Sequence, residues 1–551
     1  MNEKIYLITT SLEETYKKKY KNIYLHPWIE ENKIKFNDYP DRYNVIDDFN
    51  YCSDLYEKIL PEVSKILNEI HKKKFDLEFW IIFIGPWLKQ FIWIINDRWK
   101  RLVNFKNKNF FSNTLVVKYK DEDIAMNDNP DFTCEIQKDY LNSIVYNKIL
   151  RFTNLCDIDE VPYEKKIIKD KTKLNITHLF KKKQKYLFLN TYLDRRDEIY
   201  INLKLKQFPI FRKRFNTLPI FHYKKELRDK KIDLEKNSEF EKFLCLNIFK
   251  FMPRVFLEGF FDLDDEINVE KLPDKPKCII IGNIPSHSHI VKYLALQKIK
   301  KTKIICMQTG GDSNYWDFLR SKKKKLTNIF LSWSKNRDTK SIKSIGFIKK
   351  RFVSKNPKKI VLFLNNDPKY VFKPDIVAYQ MYNGYIEGII NFIGKLHPQV
   401  QNDLLVRIIG FDCWSLKKKI LKYYSNIKFC DENTKIGEIY KNSKFVISTH
   451  IGTTMIEALT SNIPACVLID DYQFDIIKNK QKKYYKLLQN INILHTDLSE
   501  CSEHINDLLL KDNLNNWWNT PEIKNNLSEF KENICFHNPN LSKDIIDIIQ
   551  K

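Results

Sequence analysis

The chain has 551 residues, of which 43% are hydrophobic and 30% are charged, and its formal net charge is +25. This composition excludes a disordered chain and a membrane protein with many spans, and the length predicts two or three domains rather than one. The positive charge favours nucleic acid, an anionic membrane surface or an anionic substrate as partner. A Lys-, Asn- and Ile-rich composition also produces such a charge without any selected partner. Arginine, the residue best suited to base and phosphate contacts, is scarce, so no nucleic-acid partner is expected.

The first third of the chain combines short strands with long helices. A strand is predicted at 5–9, and apolar residues at helical spacing predict a helix over 50–73. The longest apolar stretch, 79–95, is interrupted by Gly85 and Pro86 and is short for a membrane span. It therefore favours a buried helix pair over membrane insertion.

Residues 104–180 are polar, lack a clear period and are typical of an insertion with a few short elements. The first residues of the chain contain no apolar run of the signal-peptide type. The eleven cysteines are scattered without CxxC pairs or Cys/His clusters at zinc spacing, so we expect mostly buried thiols in a reducing compartment. These features predict a cytoplasmic protein, with peripheral contact to an anionic inner membrane left open.

From about residue 185 onwards, strand-like apolar runs alternate with helical patterns. The runs are YLFLN (186–190), CIIIG (278–282), KIICM (303–307), NIFLSW (328–333), KIVLFLN (359–365), LLVRIIG (404–410), KFVIST (444–449) and ACVLI (465–469). Continuous apolar strands separated by helices are typical of parallel sheets whose two faces are both covered. The predicted fold class is therefore α/β, with two Rossmann-like, doubly wound parallel-sheet domains and helical N-terminal elaborations.

The basic, proline-containing segment 349–359 is the predicted linker between the two α/β blocks. We expect an N-terminal α/β domain over 1–350 with a helical insertion at about 50–180, a Rossmann-like domain over 359–510, and C-terminal helices over 511–551 that cross back to the N-terminal domain. Ligands of open α/β sheets bind outside the carboxyl ends of the strands. A cleft between the two domains is therefore the predicted site.

The segment 444–470 carries the sharpest local motif, a strand followed by a loop, a helix and a second strand. The loop and the start of the helix contain Ser448, Thr449, His450, Gly452, Thr453 and Thr454. Small hydroxyl residues at a helix N-terminus offer hydroxyls, backbone N–H groups and the positive end of the helix dipole to an anion. Glu457, one turn into the helix, is placed to accept hydrogen bonds from a ribose hydroxyl pair. The alternative is that Thr453 or Thr454 caps the helix and does nothing more.

A second loop, MQTGGDSNYWD (307–317), follows the strand KIICM. Gly310 and Gly311 allow the backbone to approach a ligand closely, and Gln308 and Asp312 flank them. Because the loop follows the carboxyl end of a strand, it is predicted to face the cleft. A Gly-Gly turn without a ligand is the alternative.

Arg407 lies inside the apolar strand 404–410, where a buried guanidinium needs an anionic partner. That partner is a phosphate or substrate carboxylate if Arg407 is functional, and a core carboxylate if it is structural. The motifs of P-loop ATPases, dinucleotide-binding Rossmann domains, serine hydrolases and zinc metalloproteases are absent from the sequence. A P-loop ATPase is therefore not expected. No metal or cofactor is expected either, because donors at a helix start can stabilise the charge that develops on a leaving nucleotide.

Nine segments of the chain carry motifs that are specific in combination, although none of them is specific alone. They are LITTSLEETY (7–16), FWIIFIGPWLKQFIWIINDRW (79–99), PRVFLEGF (253–260), KLPDKPKCIIIGN (271–283), MQTGG (307–311), LSWS (331–334), LLVRIIGFDCW (404–414), THIGTTMIEALTSNIP (449–464) and NNWWNTPEIKNNLSEF (515–530). Together they resemble a bacterial family of O-antigen and other surface-polysaccharide transferases, over nearly the whole chain apart from 104–180.

The resemblance implies a GT-B-like, two-domain glycosyltransferase. Its C-terminal half is similar to enzymes with CMP- or CDP-activated donors, among them sialyl-, Kdo- and glycerophosphate transferases. Two departures stand out. Thr309 replaces the His of the relatives' Gln-His-Gly-Gly loop, and Ile409-Gly410 replaces the Tyr-Pro that follows the strand arginine. The first departure puts in doubt any catalytic role carried by that His.

The predicted function is a cytoplasmic glycosyltransferase of surface-polysaccharide synthesis. It would transfer a sugar from a nucleotide donor, with a CMP-type donor favoured, to a glycan or lipid-linked acceptor. A nonulosonic or Kdo-type acid is one candidate for the sugar, and the reaction would need no metal. The 448–457 loop would hold the donor, Arg407 would pair with a phosphate or donor carboxylate, and Asp312 would be the general base. The alternatives are transfer of a polyol phosphate from CDP-glycerol or CDP-ribitol, and a non-catalytic basic protein that binds membrane or RNA.

Overall fold

The computed structural model describes residues 4–16, 19–29, 45–163, 184–209, 215–234, 238–283, 286–311, 326–335, 338–353, 357–371, 384–475, 477 and 479–551. Within them the chain forms three parallel sheets, each covered by helices. Asp312 of the predicted cleft loop lies outside the described residues.

The first sheet is built from the N-terminal residues and has the strand order β2-β1-β3-β4. Its strands are β1 (Ile5–Ile8), β2 (Lys21–Tyr24), β3 (Asn113–Val117) and β4 (Asp157–Val161). The helices of this region are α1 (Val45–His71), α2 (Leu77–Phe83), α3 (Gly85–Lys108), α4 (Asn129–Glu135) and α5 (Asp139–Thr153). Residues 104–180, predicted to be an insertion, thus supply two of its four strands. The pattern is weak there because β4 is a half-exposed edge strand with the polar sequence DIDEV.

Helices α2 and α3 form the buried pair predicted for the longest apolar stretch. They are bent by 62° at the break, where Pro86 occupies the first turn of α3 and needs no N–H partner. The side chains of Trp80 and Trp87 are fully buried in the protein core. In the described part of the chain, no single helix has the length and apolar composition of a membrane span, although this bent pair passes that test jointly.

The second sheet has the sequential order β5-β6-β7-β8-β9. Its strands are β5 (Tyr186–Leu189), β6 (Cys278–Ile281), β7 (Lys303–Met307), β8 (Ile329–Ser332) and β9 (Ile342–Ser344). The helices in this part of the chain are α6 (Arg195–Lys204), α7 (Glu239–Phe251), α8 (Asp262–Val269) and α9 (Ser288–Ile299). The buried runs of Ile, Cys and Met in β6 and β7 are covered on both faces, as the pattern predicts.

The third sheet has the order β12-β11-β10-β13-β14-β15. Its strands are β10 (Lys359–Leu364), β11 (Leu404–Ile408), β12 (Lys428–Phe429), β13 (Ser443–Ser448), β14 (Ala465–Leu468) and β15 (Leu494–His495). The chain builds outward from β10 in one direction and then returns to β13 to build in the other. The point between β10 and β13 is therefore the topological switch point, where open α/β sheets open a crevice for ligands.

The helices that follow β9 are labelled by their order in the described part of the chain. They are α10 (Tyr385–Lys395), α11 (Pro398–Asp403), α12 (Leu416–Tyr423), α13 (Ile436–Asn442), α14 (Thr453–Thr460), α15 (Asp471–Asp475), α16 (Asn479–Asn490), α17 (Leu498–Leu510), α18 (Leu514–Trp518), α19 (Pro521–Cys535) and α20 (Leu541–Gln550). The last of them, α20, packs on the second sheet's region: Ser542 Oγ donates to Asp197 of α6 at 2.9 Å, and Lys303 Nζ donates to the Ile548 carbonyl at 2.7 Å.

The predicted α/β fold class with two Rossmann-like parallel sheets is confirmed, and the first, smaller parallel sheet at the N-terminus is an addition to it. One core cluster joins the second and third sheets: Met307 and Trp333 from one and Val361 and Phe363 from the other belong to it. All eleven cysteines are free thiols, and seven of them are buried.

A buried charge cluster on α3 ties the N-terminal region to the third sheet. Asp97 accepts from Arg98 Nη1 at 2.6 Å and from Arg101 Nε at 2.9 Å. Burial alone would raise the pKa of Asp97, but the charges of Arg101 and Arg98 outweigh it and hold that pKa below its ordinary value. Arg98 Nη1 also donates to the carbonyl of Val371, just after β10, at 2.7 Å. Asp97 therefore positions the arginine that spans the two regions.

The Asp97→Asn variant should lower the free energy of unfolding by about 3–5 kcal/mol, because it leaves buried guanidinium groups without their carboxylate. Thermal melting followed by tryptophan fluorescence measures the change. The control is Glu135→Gln, which removes an exposed ion pair with Lys138 and should cost less than about 1 kcal/mol. Equal melting temperatures for the two variants would show that the cluster does not hold these regions together.

Candidate functional site

The glycine-rich loop after β7 is held rigidly by its own backbone and by the neighbouring strand. Gln308 is buried; its Oε1 accepts from the Trp333 backbone N–H at 3.0 Å and its Nε2 donates to the Gly310 carbonyl at 3.1 Å. Thr309 donates to Asn283 Oδ1 at 2.7 Å. Gln308 and Thr309 thus shape the loop, and the two glycines form its tip.

The loop after β13 leads into α14, whose N-cap is Gly452. Neither Thr453 nor Thr454 caps this helix, because both already lie in its first turn, and Gly452 has no side chain that could do so. The first backbone N–H groups of α14 consequently have no capping side chain at the N-cap position, and α14 has no acidic residue in its first turn. Such a helix start suits an anion.

The two predicted loops meet. The Gly311 N–H donates to Thr453 Oγ1 at 3.1 Å, which joins the loop after β7 to the first residue of α14. A Cβ at Gly311 would lie 2.7 Å from Ile456 Cδ1 and 2.9 Å from the Gly452 carbonyl carbon, whereas a Cβ at Gly310 would meet only Thr453 Oγ1, at 3.5 Å. The glycine at 311 is therefore required by the contact between the second and third sheets.

Thr449 sits at the switch point and is held by both strands and by α10. It donates to the Phe363 carbonyl at 3.1 Å, its Oγ1 accepts from the Asn365 N–H at 3.2 Å, and it lies 2.6 Å from Tyr385 Oη. Burial raises the pKa of Tyr385 well above its ordinary value, against the opposing effect of these hydrogen bonds. Tyr385 therefore stays a neutral hydroxyl beside the switch point.

A cavity of about 150 Å³ opens beside this switch point, at the carboxyl ends of β13, β14 and β15. Its lining comprises Gly384, Tyr385, Gly388, Ile389, Thr449, Leu468, Ile469, Asp470, Thr496 and Leu498. Hydroxyls and one carboxylate form its polar part, and aliphatic side chains form the rest. This combination of an apolar wall with a few placed polar groups is typical of a small-molecule site.

Ser448 and Glu457, like Thr449 and Thr453, are predicted donor-binding residues that the protein itself engages. Ser448 is buried and donates to the His450 carbonyl at 2.9 Å. This bond shapes the loop, in which His450 stays half-exposed. Glu457 is 8% exposed and its Oε1 accepts from Lys349 Nζ at 3.1 Å. Burial, followed by the charge of Glu457, raises the pKa of the Tyr440 hydroxyl well above its ordinary value. Glu457 thus already binds the predicted linker.

Arg407 lies in register with Phe363 of β10, which is in turn in register with Ser448 of β13. Its guanidinium is half-buried and donates to the carbonyls of Asp431, at 2.5 Å, and Glu432, at 3.0 Å. These carbonyls follow the end of β12, so Arg407 holds the loop at that edge, two strands away from β13. An anion that bound Arg407 as a third partner would have to share its guanidinium N–H groups with these two carbonyls.

Sequence reasoning missed four residues of the site: Tyr385, Asp470, Thr496 and Lys349. Asp470 directly follows the strand ACVLI. The rule that ligands bind at the carboxyl ends of strands, which identified the other two loops, could therefore have identified Asp470 as well. Tyr385 and Lys349 reach the site from distant parts of the chain, and no local motif marks them.

A family model described as "LIC12162 family transferase" matches residues 5–549. Among curated proteins, none matches the chain. Among solved structures, a variant of the wall teichoic acid polymerase TagF soaked with CDPG is similar at 12% identity and a TM-score of 0.33, covering 68% of this chain and 91% of that one. MnaA of S. aureus with UDP matches at 11% identity and a TM-score of 0.37, covering 67% and 96%. MurG of Acinetobacter baumannii matches at 8% identity and 0.32, covering 54% and 80%. Scores in this range describe a partial likeness and say nothing of this chain's substrate.

Adjacent glycines test the contact between the two loops. Gly311→Ala should lower the free energy of unfolding by about 1–3 kcal/mol, because its methyl group would overlap the start of α14. Gly310→Ala, whose methyl group would make an ordinary contact, should change it by less than half as much. Melting temperatures and hydrogen exchange at residues 452–456 measure both effects. The contact would be disproved if Gly311→Ala melted and exchanged like Gly310→Ala.

Proposed function

The chain belongs to the LIC12162 family of transferases, and we propose that it is a glycosyltransferase of surface-polysaccharide synthesis. Its donor is a nucleotide-activated sugar, with a CMP-type donor favoured, and its acceptor is a glycan or a lipid-linked glycan. The observation that carries the proposal is the Gly311–Thr453 contact, which sets the uncapped start of α14 next to the loop of the other sheet. The transferred group and its acceptor would meet at that junction.

The donor would bind to the third sheet. Its phosphate would lie at the first turn of α14, which begins with Thr453 and Thr454 and follows the half-exposed His450. The nucleoside would occupy the neighbouring cavity, where Asp470 and Thr496 offer a carboxylate and a hydroxyl to the ribose and base. Ser448 supports this site from below, because its hydroxyl is engaged by the His450 carbonyl. Thr449 lines the cavity, but its hydroxyl already donates to the Phe363 carbonyl.

The chemical step would break the bond between the sugar's anomeric carbon and the donor phosphate oxygen. An acceptor hydroxyl oxygen forms the new bond to that carbon, its proton passes to a base, and the nucleotide leaves with the bonding electron pair. Negative charge therefore grows on the leaving phosphate. Donors that are already oriented at a helix start stabilise that charge without reorganising, so the start of α14 would lower the barrier.

Three predicted roles complete the proposal. Asp312 would take the acceptor proton, and Asp312→Asn should then abolish most turnover. Arg407 would hold a second anion if the donor sugar carries a carboxylate, in exchange for part of its bonding to the Asp431 and Glu432 carbonyls. A lipid-linked acceptor at an anionic membrane face would be attracted by the net charge of +25.

A thermal-shift series with CMP, CDP, UDP, GDP and dTDP tests the donor. A ligand that binds only the native state raises the melting temperature, with about 2.7 kcal/mol of added stability at a hundredfold excess over Kd. CMP should give the largest shift. The largest shift with CDP, together with a phosphodiester product by phosphorus NMR, would indicate a polyol-phosphate transferase instead. A non-catalytic protein would instead give equal shifts with all five nucleotides. It would also bind RNA or anionic vesicles with an affinity that falls steeply as salt is added.

The cavity is tested by two neighbouring aspartates. Asp470 lines it, and its Oδ1 also accepts from the Gln473 N–H at 2.7 Å, a bond that Asn can preserve. Asp470→Asn should weaken CMP binding at least about tenfold, the loss expected for one charge-assisted hydrogen bond. Asp471→Asn, at an exposed position one residue later, should bind CMP like the wild type. Isothermal titration calorimetry measures both, and equal affinities would remove the nucleoside from this cavity.

The loop residues are tested by turnover. His450→Ala should reduce kcat at least about tenfold with the melting temperature retained within a few degrees, because it would lose a donor contact near the leaving group. Glu457→Ala should do the same if Glu457, which is paired with Lys349 and lies outside the cavity lining, accepts from a ribose hydroxyl when the donor binds. Lys349→Ala separates two roles of Glu457. It frees the carboxylate without removing it, so donor KM should stay near the wild-type value if Glu457 binds ribose. A KM that rises as far as in Glu457→Ala would show that Glu457 acts through the linker alone.

A further inference from the structure

Three metal-ligating side chains converge at the far edge of the third sheet. Cys466 lies on β14, His495 on β15 and His504 on α17, so three separate elements contribute one each. Cys466 and His495 are buried and His504 is half-buried. One ligand atom from each residue lies within 4.8 Å of the other two. No motif predicts this cluster, because the complete helices α15 and α16 lie between Cys466 and His504 in the chain.

The local structure orients these side chains towards one another. The Asn492 carbonyl accepts from His495 Nε2 at 2.8 Å and from Cys466 Sγ at 3.5 Å. The rings of His495 and His504 lie with centroids 5.5 Å apart, and Trp517 packs on His504 at 5.1 Å. His504 Nε2 is buried and has no hydrogen-bond partner among the residues that the structure describes. A buried ring nitrogen without a partner, next to a thiol and a second imidazole, calls for a ligand.

We propose that Cys466, His495 and His504 form a zinc site. One thiolate and two imidazole nitrogens are a donor set that Zn²⁺ prefers, and tetrahedral geometry would bring sulfur and nitrogen to about 3.5 Å from each other. Because the ligand atoms already lie within 4.8 Å of one another, small rotations of the side chains close the site. Binding displaces one proton, from the Cys466 thiol to solvent, and uses lone pairs of neutral imidazoles. Solvent fills the fourth position, next to the half-buried His504.

The metal would stiffen one wall of the cavity described above. Leu468 follows Cys466 by two residues, Thr496 directly follows His495, and Leu498 begins the helix that carries His504. A zinc ion would therefore fix β14, β15 and α17 relative to one another at the points where they line the cavity. This role does not depend on which nucleotide, if any, the cavity binds.

Cobalt substitution in the full-length chain tests the site. The protein is first stripped with a chelator and then titrated with Co²⁺, which reports its ligands by absorption. We expect one Co²⁺ per chain and a thiolate-to-cobalt charge-transfer band in the near ultraviolet. Cys466→Ser should lose the band, and His504→Ala should bind Co²⁺ at least about tenfold more weakly, as metal sites do when a ligand or its support is removed.

Cys278→Ser is the matched control, since Cys278 is also a buried thiol on a parallel strand, but of the second sheet. It should keep both the band and the rise in melting temperature that Zn²⁺ produces in the wild type. His504→Ala should lose that rise, which keeps the test decisive if Cys466→Ser does not fold. The proposal would be overturned by a wild-type protein without the charge-transfer band, or by a band and a Zn²⁺-induced shift that persist in His504→Ala.

Discussion

The structure depends on one close approach between two sheets. The backbone N–H of Gly311 reaches Thr453 Oγ1, and this is feasible only because residue 311 has no side chain to strike Gly452 and Ile456. The approach brings the carboxyl end of β7 to the start of α14, so the loops that follow two different parallel sheets share one junction. Any larger residue would separate the two loops, and with them the donor and acceptor sites proposed above.

The polar residues near this junction form two groups: those whose hydroxyls bond to the protein backbone, and those proposed to contact a ligand. The hydroxyls of Ser448 and Thr449 bond to backbone groups of their own sheet and loop, and they therefore hold the switch point together. The surface proposed to contact a ligand consists of the backbone of the first turn of α14, the half-exposed His450 and the cavity residue Asp470. Buried hydroxyls must be hydrogen-bonded, and in a sheet the nearest partners are carbonyls. Serine and threonine motifs at strand ends are for this reason poor guides to which hydroxyl touches substrate.

The N-terminal sheet gives this junction an anchor outside the two larger sheets. Arg98 on α3 donates to the Val371 carbonyl, and Tyr370 donates to Asp139 on α5 at 2.6 Å. Both bonds join the N-terminal helices to the segment that follows β10, the strand at the switch point. A displacement of the N-terminal region would therefore be transmitted to the crevice through these two short hydrogen bonds. The charge of Asp97 keeps Arg98 in place for this.

Local pattern was sufficient to predict the parallel α/β class, eight of the ten strands from β5 to β14 (all except the short strands β9 and β12), and the two loops that meet at Gly311 and Thr453. Apolar runs and small residues at strand ends are properties of contiguous segments, which is why the sequence shows them. Only the tertiary structure decided the strand order around β10 and the presence of the small N-terminal sheet. It also decided that Glu457 pairs with Lys349, that Arg407 donates to the Asp431 carbonyl, and that two histidines lie beside Cys466. The reason is that each parallel crossover carries the chain over a helix before it returns to the sheet. Residues that become neighbours are then separated by dozens of positions, and nothing in their own segments records which strand will lie beside them.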